Sequence, residues 1–491
     1  MARSSLRTGD EIDGFVIGEL MHNGGMARLW SVTRPDIDFP LLMKVPRIGE
    51  GDDPAAIVSF EMEQMILPKL SGPHVPRFVA NGDFAAQPYI VMERIEGATL
   101  YPWLDALPRT EAEVATLAAK IADALDSLHR QNVVHLDLKP SNIMFRPSGE
   151  AVLLDYGLAC HIHMPDLMAE EFRLPYGTAP YMAPEQVIGR RTDFRSDLFA
   201  LGVLMYFFAT GTRPFGDPQR LSGLRKRLWR DPWPPRSLRA ELSPALQEVI
   251  LHCLEVKPDW RYQTAAQLAN DLRDLSRVKL TARSERMKRD PWTEVIRRRF
   301  NPEPLGMHKP AVVAGQFADA PIVLVALDLD NTLPDVADTL RLTTERIIEK
   351  SQGTRIACLN VQRINRINLD TSLDEAGHNK HVARLVQLKG WAQPIGRGEG
   401  AITFHVVEAV DVADAILDFA RSNKVDHIVM GARQSSTMRS LIGSVAGEVA
   451  AHAPCTVTVV RNRYTAPARV PLTIPQPDGA ILPRNSPPHG D

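Results

Sequence analysis

The stretch His135-Leu136-Asp137-Leu138-Lys139-Pro140-Ser141-Asn142, followed by Val152-Leu153-Leu154-Asp155-Tyr156-Gly157, decides how the rest of the chain is understood. Asp137 and Asn142 stand five residues apart, so one loop can aim a carboxylate and an amide into the same cavity. The apolar run at residues 152–154 predicts a buried strand, and a carboxylate at its end can reach the same place. Such a convergence suits phosphoryl transfer, which asks little covalent chemistry of a protein. It needs the nucleotide held, its charge neutralised and the acceptor hydroxyl aimed in line.

Upstream, strand-like runs at residues 15–21, 27–34 and 41–45 precede a helix expected after Asp52 and Asp53, with Pro54 at its favoured first position. Runs at residues 77–84 and 89–94 complete a small sheet. The pattern then turns helical. Thr110 and Glu113 form a capping box, and Val114, Leu117, Ala118, Ile121, Leu125 and Leu128 continue an apolar stripe. Further helices are expected near residues 196–210 and 243–255, closing a first domain over residues 1–275. Residues 276–320, with Arg283, Arg286, Lys288, Arg289, Arg297, Arg298 and Arg299, read as a basic linker with partial helix. Strands at 322–327, 355–361, 427–430 and 456–460 then alternate with helices through 340–348, from Asp411 and from Arg439. That alternation predicts a parallel α/β sheet over residues 321–463. The proline-rich residues 464–491 read as a disordered tail.

A chain of 491 residues is too long for one ordinary core, in agreement with two domains. A net charge of -2 gives no electrostatic case for a nucleic-acid or membrane partner. No apolar run approaches the roughly 20 residues that span a bilayer, and no apolar stretch follows the N-terminal arginines as in a signal peptide. Cys160, Cys253, Cys358 and Cys455 form no CxxC pair, which suggests reduced thiols in a cytoplasmic protein.

The motifs, in this order, resemble those of the eukaryotic-like serine/threonine protein kinases, above all the bacterial branch. The resemblance implies a bilobal kinase fold, ATP with Mg2+, and protein substrates. It makes Asp137 the base that accepts the substrate proton, Lys139 the stabiliser of the transferring phosphate, and Asn142 and Asp155 the magnesium ligands. It assigns Lys44, in Leu41-Leu42-Met43-Lys44, to the α and β phosphates, with Glu63 as its ion-pair partner. Gly24 and Gly25 belong to the glycine-rich loop, Met92 guards the back pocket, Glu93 to Ile95 form the adenine hinge, and Met144 joins the ATP-binding set. Ala183-Pro184-Glu185 closes the activation segment, with Arg261 as the buried partner of Glu185, while Asp197 anchors the catalytic loop.

Three departures from the family pattern bear on activity. His22 and Ala27 replace glycines in the phosphate loop, and Leu42 stands where the family has alanine above the adenine; both predict weaker ATP binding. Leu136 replaces the arginine that would receive an activation-loop phosphate, and residues 158–177 contain no serine or threonine. The missing cation and the missing acceptors agree, and point to a kinase not switched by phosphorylation there. Autophosphorylation is instead expected at Thr281, Ser284 or Thr293 in the basic linker. A small-molecule phosphotransferase would lack the Ala183-Pro184-Glu185 segment and its arginine. The remaining alternative is a weakly active or pseudokinase scaffold signalling through the second domain, though Lys44, Asp137 and Asp155 are all retained.

In the second half, Gly431-Ala432-Arg433, Gly443-Ser444 and the closing run from His452 to Val460 resemble the universal stress protein domain. In nucleotide-binding members of that family glycines and a Gly-Ser cradle phosphates at the strands' carboxyl ends. The resemblance implies Asp328, Gly431, Gly443 and Ser444 as a nucleotide site. Gln434 replaces a second glycine, so a dimerising or sensory module without nucleotide stays open beside it, with a homodimer through the last strand.

Overall fold

The computed structural model describes residues 6–48, 54–172, 175–300, 320–330, 332, 334–349, 353–364, 373, 379–396, 401–432 and 444–461. The first element is an antiparallel six-stranded sheet, ordered β1-β2-β3-β4-β6-β5. Its strands are β1 (Glu11–Ile12), β2 (Phe15–Asn23), β3 (Ala27–Thr33), β4 (Leu41–Pro46), β5 (Phe78–Gly82) and β6 (Tyr89–Glu93). The two-residue period decides what each face carries. Leu41, Met43 and Val45 of β4 join Tyr89 and Val91 of β6 in an outer apolar cluster. The alternate positions, Leu42 and Lys44 of β4 and Met92 of β6, face a cavity on the other side. Helix α1 (Pro54–Ile66) lies against that inner face, and its residues Ile57, Phe60, Glu61 and Glu63 are all buried. A helix covered all round needs material on both sides. The sheet supplies one side, and the second domain supplies the other.

The α-rich lobe is built on α2 (Glu111–His129), whose capping box is present as expected: Glu113 N–H donates to the Thr110 hydroxyl at 3.3 Å and Thr110 N–H to the Glu113 carboxylate at 2.9 Å. Short strands β7 (Val133–Val134), β8 (Ile143–Phe145), β9 (Ala151–Leu153) and β10 (Cys160–His161) carry the loops quoted first. Helices α3 (Leu167–Glu171), α4 (Pro184–Val187), α5 (Arg195–Thr210), α6 (Leu221–Leu224), α7 (Pro235–Leu238), α8 (Pro244–Cys253), α9 (Ala265–Arg273) and α10 (Trp292–Phe300) follow. Helix α5 is buried along most of its length and stops at Gly211, whose φ of 75° is a left-handed cap.

The basic run departs from expectation. It is not a free tether through residue 300. The Thr281 hydroxyl donates to Glu248 at 2.9 Å, Arg283 pairs with Glu248 and Glu255, Arg286 pairs with Asp231, and Ser284 is 2% exposed. The remainder of that run, residues 301–319, and the proline-rich tail lie outside the described residues.

The second domain is a five-stranded parallel sheet ordered β13-β12-β11-β14-β15. Its elements run β11 (Ile322–Ala326), α11 (Pro334–Glu349), β12 (Arg355–Arg363), α12 (Lys380–Ala392), β13 (Ile402–Ala409), α13 (Val412–Ser422), β14 (His427–Gly431), α14 (Ser444–His452) and β15 (Thr456–Val460). Leu324 and Ala326 pack with α13 and α14, while Val323 and Val325 face the opposite layer, so both sheet faces are covered. Helix α12 and strand β13 were not anticipated from the sequence.

Arg261 closes the lobe from inside. Its guanidinium forks onto Glu185 at 2.6 and 2.7 Å with both side chains essentially inaccessible. Leaving one buried charge unpaired costs about 3–5 kcal/mol. Arg261→Leu should therefore destabilise the first domain by about that amount in chemical denaturation, and a loss under about 1 kcal/mol would contradict the account.

Candidate active site

Two loops, the 135–142 segment and the 155–157 turn, converge on the cavity under the inner face of the sheet. Asp155 and Leu136 both adopt left-handed φ values, 67° and 64°, a conformation that costs energy in a residue with a side chain and persists only where surroundings impose it. The surroundings are visible. Asp197, buried on α5, accepts from the backbone N–H groups of His135 and Leu136 at 2.9 and 2.8 Å and lies 2.9 Å from His129 Nε2. The His135 ring in turn lies 5.5 Å from that of Tyr156 in a tilted arrangement, and its Nε2 lies 3.1 Å from the Leu154 carbonyl. One aspartate thus fixes the 135–142 loop, and one histidine ties that loop to the 155–157 turn.

The Asp137 carboxylate has a partner on each oxygen. Oδ1 accepts from the Thr178 hydroxyl at 2.7 Å and its N–H at 3.1 Å. Oδ2 accepts from Lys139 Nζ at 2.6 Å and Asn142 Nδ2 at 3.1 Å. Across the cleft, Lys44 Nζ lies 2.5 Å from Glu63 and 3.0 Å from Asp155. Burial works against the Lys44 charge, but Asp155 and Glu63 outweigh it and raise the ammonium above its ordinary range. The Lys44 charge holds the Asp155 carboxyl down at about 2, with burial opposing. Burial pushes Glu63 up, and Lys44 pulls it back only in part. The Asp155 side chain is 45% exposed and lines the cleft.

These groups line one cavity of about 500 Å3. Lys44, Glu63, Asp137, Lys139, Asn142, Asp155, Met92 and Gly24 all reach it, as do Leu42 and His22. Gly25, Glu93, Ile95 and Met144 are not among its lining residues. The Glu93 carboxylate is taken by Arg146 at 2.9 Å, Ile95 is buried, and Met144 bridges Thr99. In the phosphate loop, Gly24 N–H donates to the Ala27 carbonyl at 3.0 Å. A Cβ on Gly24 would crowd that carbonyl and the His22 ring at 3.2 Å. Leu136 sits in an apolar cluster with Val134, Cys160 and Ile162.

Sequence reasoning missed Arg227. It is buried, donates to the Ala179 carbonyl at 2.8 Å and to the Met182 carbonyl, and its guanidinium is pulled down by burial to about 10. It holds the stretch that carries Thr178, yet no local signal separates it from its basic neighbours Arg225 and Lys226. In the second domain, Asp328 follows β11, Gly431 ends β14 and Ser444 opens α14. The first two therefore stand at the carboxyl ends of adjacent strands, where the order of the sheet reverses. Gly443 lies outside the described residues.

A family model described as protein kinase domain matches residues 43–272, and one described as universal stress protein family matches residues 321–461. The chain carries a protein kinase domain followed by a universal stress protein domain. The structure extends the kinase sheet upstream of the matched region through β1, β2 and β3. Among relatives, a probable serine/threonine-protein kinase of Corynebacterium efficiens is 31% identical over 60% of this chain and 46% of its own length. Serine/threonine-protein kinase Pkn1 of Myxococcus xanthus is 39% identical over 41% of this chain and 29% of its own. The chain thus spans under half the length of these relatives. The PknI kinase domain of Mycobacterium tuberculosis aligns over 55% of this chain and 100% of its own at 21% identity, with a TM-score of 0.44.

Leu42 narrows the kinase cleft from the sheet side. Leu42→Ala should lower the Michaelis constant for ATP about threefold while changing turnover less. A constant that is unchanged or higher in steady-state kinetics would show that the leucine does not crowd the nucleotide.

Proposed function

We propose that this chain is an ATP- and Mg2+-dependent serine/threonine protein kinase acting in stress or metabolic signalling. The observation that carries the proposal is the intact double constellation: Lys44–Glu63–Asp155 on one wall, and Asp137 with Lys139, Asn142 and Thr178 on the other. A scaffold that had lost catalysis would have no reason to keep both.

In the proposed reaction the serine or threonine oxygen attacks the γ-phosphorus of ATP. The bond from that phosphorus to the β-bridging oxygen breaks, ADP leaves, and the hydroxyl proton passes to the Asp137 carboxylate. Thr178 and Asn142 fix the orientation of that carboxylate, and Lys139 places a positive charge beside the transferring group. Lys44, held protonated, meets the non-transferred phosphates. Asp155 and the Asn142 amide oxygen are hard oxygen donors of the type magnesium takes, and a bound ion would neutralise phosphate charge there.

Lys139, two residues after Asp137 and paired with its carboxylate, supports serine or threonine as acceptor by the family resemblance, and Arg227 shaping residues 179–182 supports a protein substrate. Among the described residues strand β15 pairs on one side only, with β14, which leaves an edge suited to a homodimer. Among the described residues no helix is long and apolar enough to cross a membrane, and four unpaired cysteines suit a reducing, cytoplasmic setting.

Incubation with labelled ATP and Mg2+ should label the protein, and Asp137→Asn should cut the rate at least ~100-fold. Equal labelling of both would sink the proposal. Phosphosite mapping yields a second expectation. With Thr281 committed to Glu248 and Ser284 buried, label among Thr281, Ser284 and Thr293 should fall on exposed Thr293. Stoichiometric phosphate on Ser284 would mean that this region opens.

A further inference from the structure

The second domain grips the kinase at two places, and both bear on the active site. Lys389 of α12 reaches Glu61 of α1 at 2.7 Å, with its ammonium 5.1 Å from the Phe84 ring. Glu61 and Glu63 are two positions apart on one helix, about 200° round its axis, and so point to opposite sides. Helix α1 is therefore held between two lysines: Lys44 from the cleft and Lys389 from the second domain.

The other contact is with α3, which lies between the Asp155 turn and Thr178 and packs on α1. Arg355 of β12 pairs with Glu170 at 2.6 Å. His405 of β13 is fully buried, with Nδ1 3.0 Å from Glu171 and Nε2 3.0 Å from Glu170, and Asn423 donates to the Glu170 carbonyl at 3.2 Å. Burial alone would lower His405, but the two carboxylates hold it up at about 9. Burial pushes Glu171 up to about 7, with His405 offsetting only part of this. Two acidic side chains buried side by side are tolerable only with cations against them, and those cations come from the other domain.

We propose that the second domain is an intramolecular clamp that completes the kinase site: docked on α1 and α3, it keeps Glu63 on Lys44 and holds the Asp155 turn and α3 in their working positions. Lys389, Arg355 and His405 are then positioning residues for phosphoryl transfer. This rests on the kinase function proposed above. It takes over the role that a phosphate and its arginine would play in a loop that had acceptors, and this loop has neither. Undocking leaves Glu61, Glu170 and Glu171 free to hydrate and removes the outer support of α1.

The test uses the full-length chain with Lys389→Glu, Glu61→Lys and the double charge swap. Lys389 is partly exposed, so its variant should fold. Each single variant should lose about tenfold in kcat/KM toward a Ser/Thr peptide, and the double swap should recover to within about threefold of wild type. Hydrogen exchange should accelerate in α1 and α3 of the single variants, leave α5 unchanged, and return in the double. Singles with wild-type activity and wild-type protection of α1 overturn the clamp, and so does a double swap no better than either single. A wild-type chain that transfers no phosphate defeats the kinase proposal instead. The exchange pattern still decides the clamp in that case.

Discussion

An ammonium and a carboxylate 2.5 Å apart join β4 to α1 across the roof of the cleft. Glu63 is almost wholly inaccessible, so the pair cannot fall back on water if either partner moves. The attraction is accordingly strong, and the penalty for breaking it falls on whichever charge stays buried. Lys44 also holds Asp155, and through it the 155–157 turn. The position of one helix is thereby written into the geometry of the lysine, the turn and the space between them. Any group that moves α1 moves all three.

The opposite wall is fixed in another way. Asp197 spends its carboxylate on two backbone N–H groups of the catalytic loop, and His135 locks that loop to the turn after β9. Neither contact involves a reacting group. They hold left-handed backbone at Asp155 and at Leu136, and for a leucine no local preference would select it. Rigidity below the cleft and a helix adjustable from outside above it make α1 the element through which the cleft can be opened or closed.

The candidate site residues Asp137, Lys139 and Asn142 were legible because their spacing is local, within one loop, as was the cap of α2, where Thr110 and Glu113 share one helical turn. What the sequence concealed is tertiary. Residues 276–300 look like a solvated basic tether because Glu248, Glu255 and Asp231, which neutralise them, lie far away in the chain. Strand β13 hides for a related reason. Its buried positions include Thr403 and His405 while Ile402 and Phe404 are only partly covered, so apolar alternation points the wrong way. Helix α12 carries Val382, Leu385 and Leu388 on its buried face, but a histidine, lysines and Gly390 interrupt the pattern. Both unseen elements make the contact with the kinase domain, and a polar contact built from two distant segments leaves no periodic trace in either.

The acidic pair on α3 connects these points. In a loop bearing serine or threonine, negative charge arrives by modification and a cation on the catalytic loop receives it. Here the chain itself supplies two acidic side chains, Glu170 and Glu171, the 135–142 loop offers Leu136 in an apolar cluster, and the receiving partners, Arg355 and His405, belong to the second domain. Control of such a loop passes from a chemical event to a docking equilibrium. Linkage then sets what any ligand of the second domain can achieve. A ligand that binds docked and undocked forms equally changes nothing, however tight it is, and one that prefers the docked form tenfold shifts the equilibrium by about 1.4 kcal/mol and no more. The reciprocal holds as well: filling the kinase cleft in a way that keeps Glu63 on Lys44 favours docking, and so tightens the second domain's grip on whatever it binds in that state.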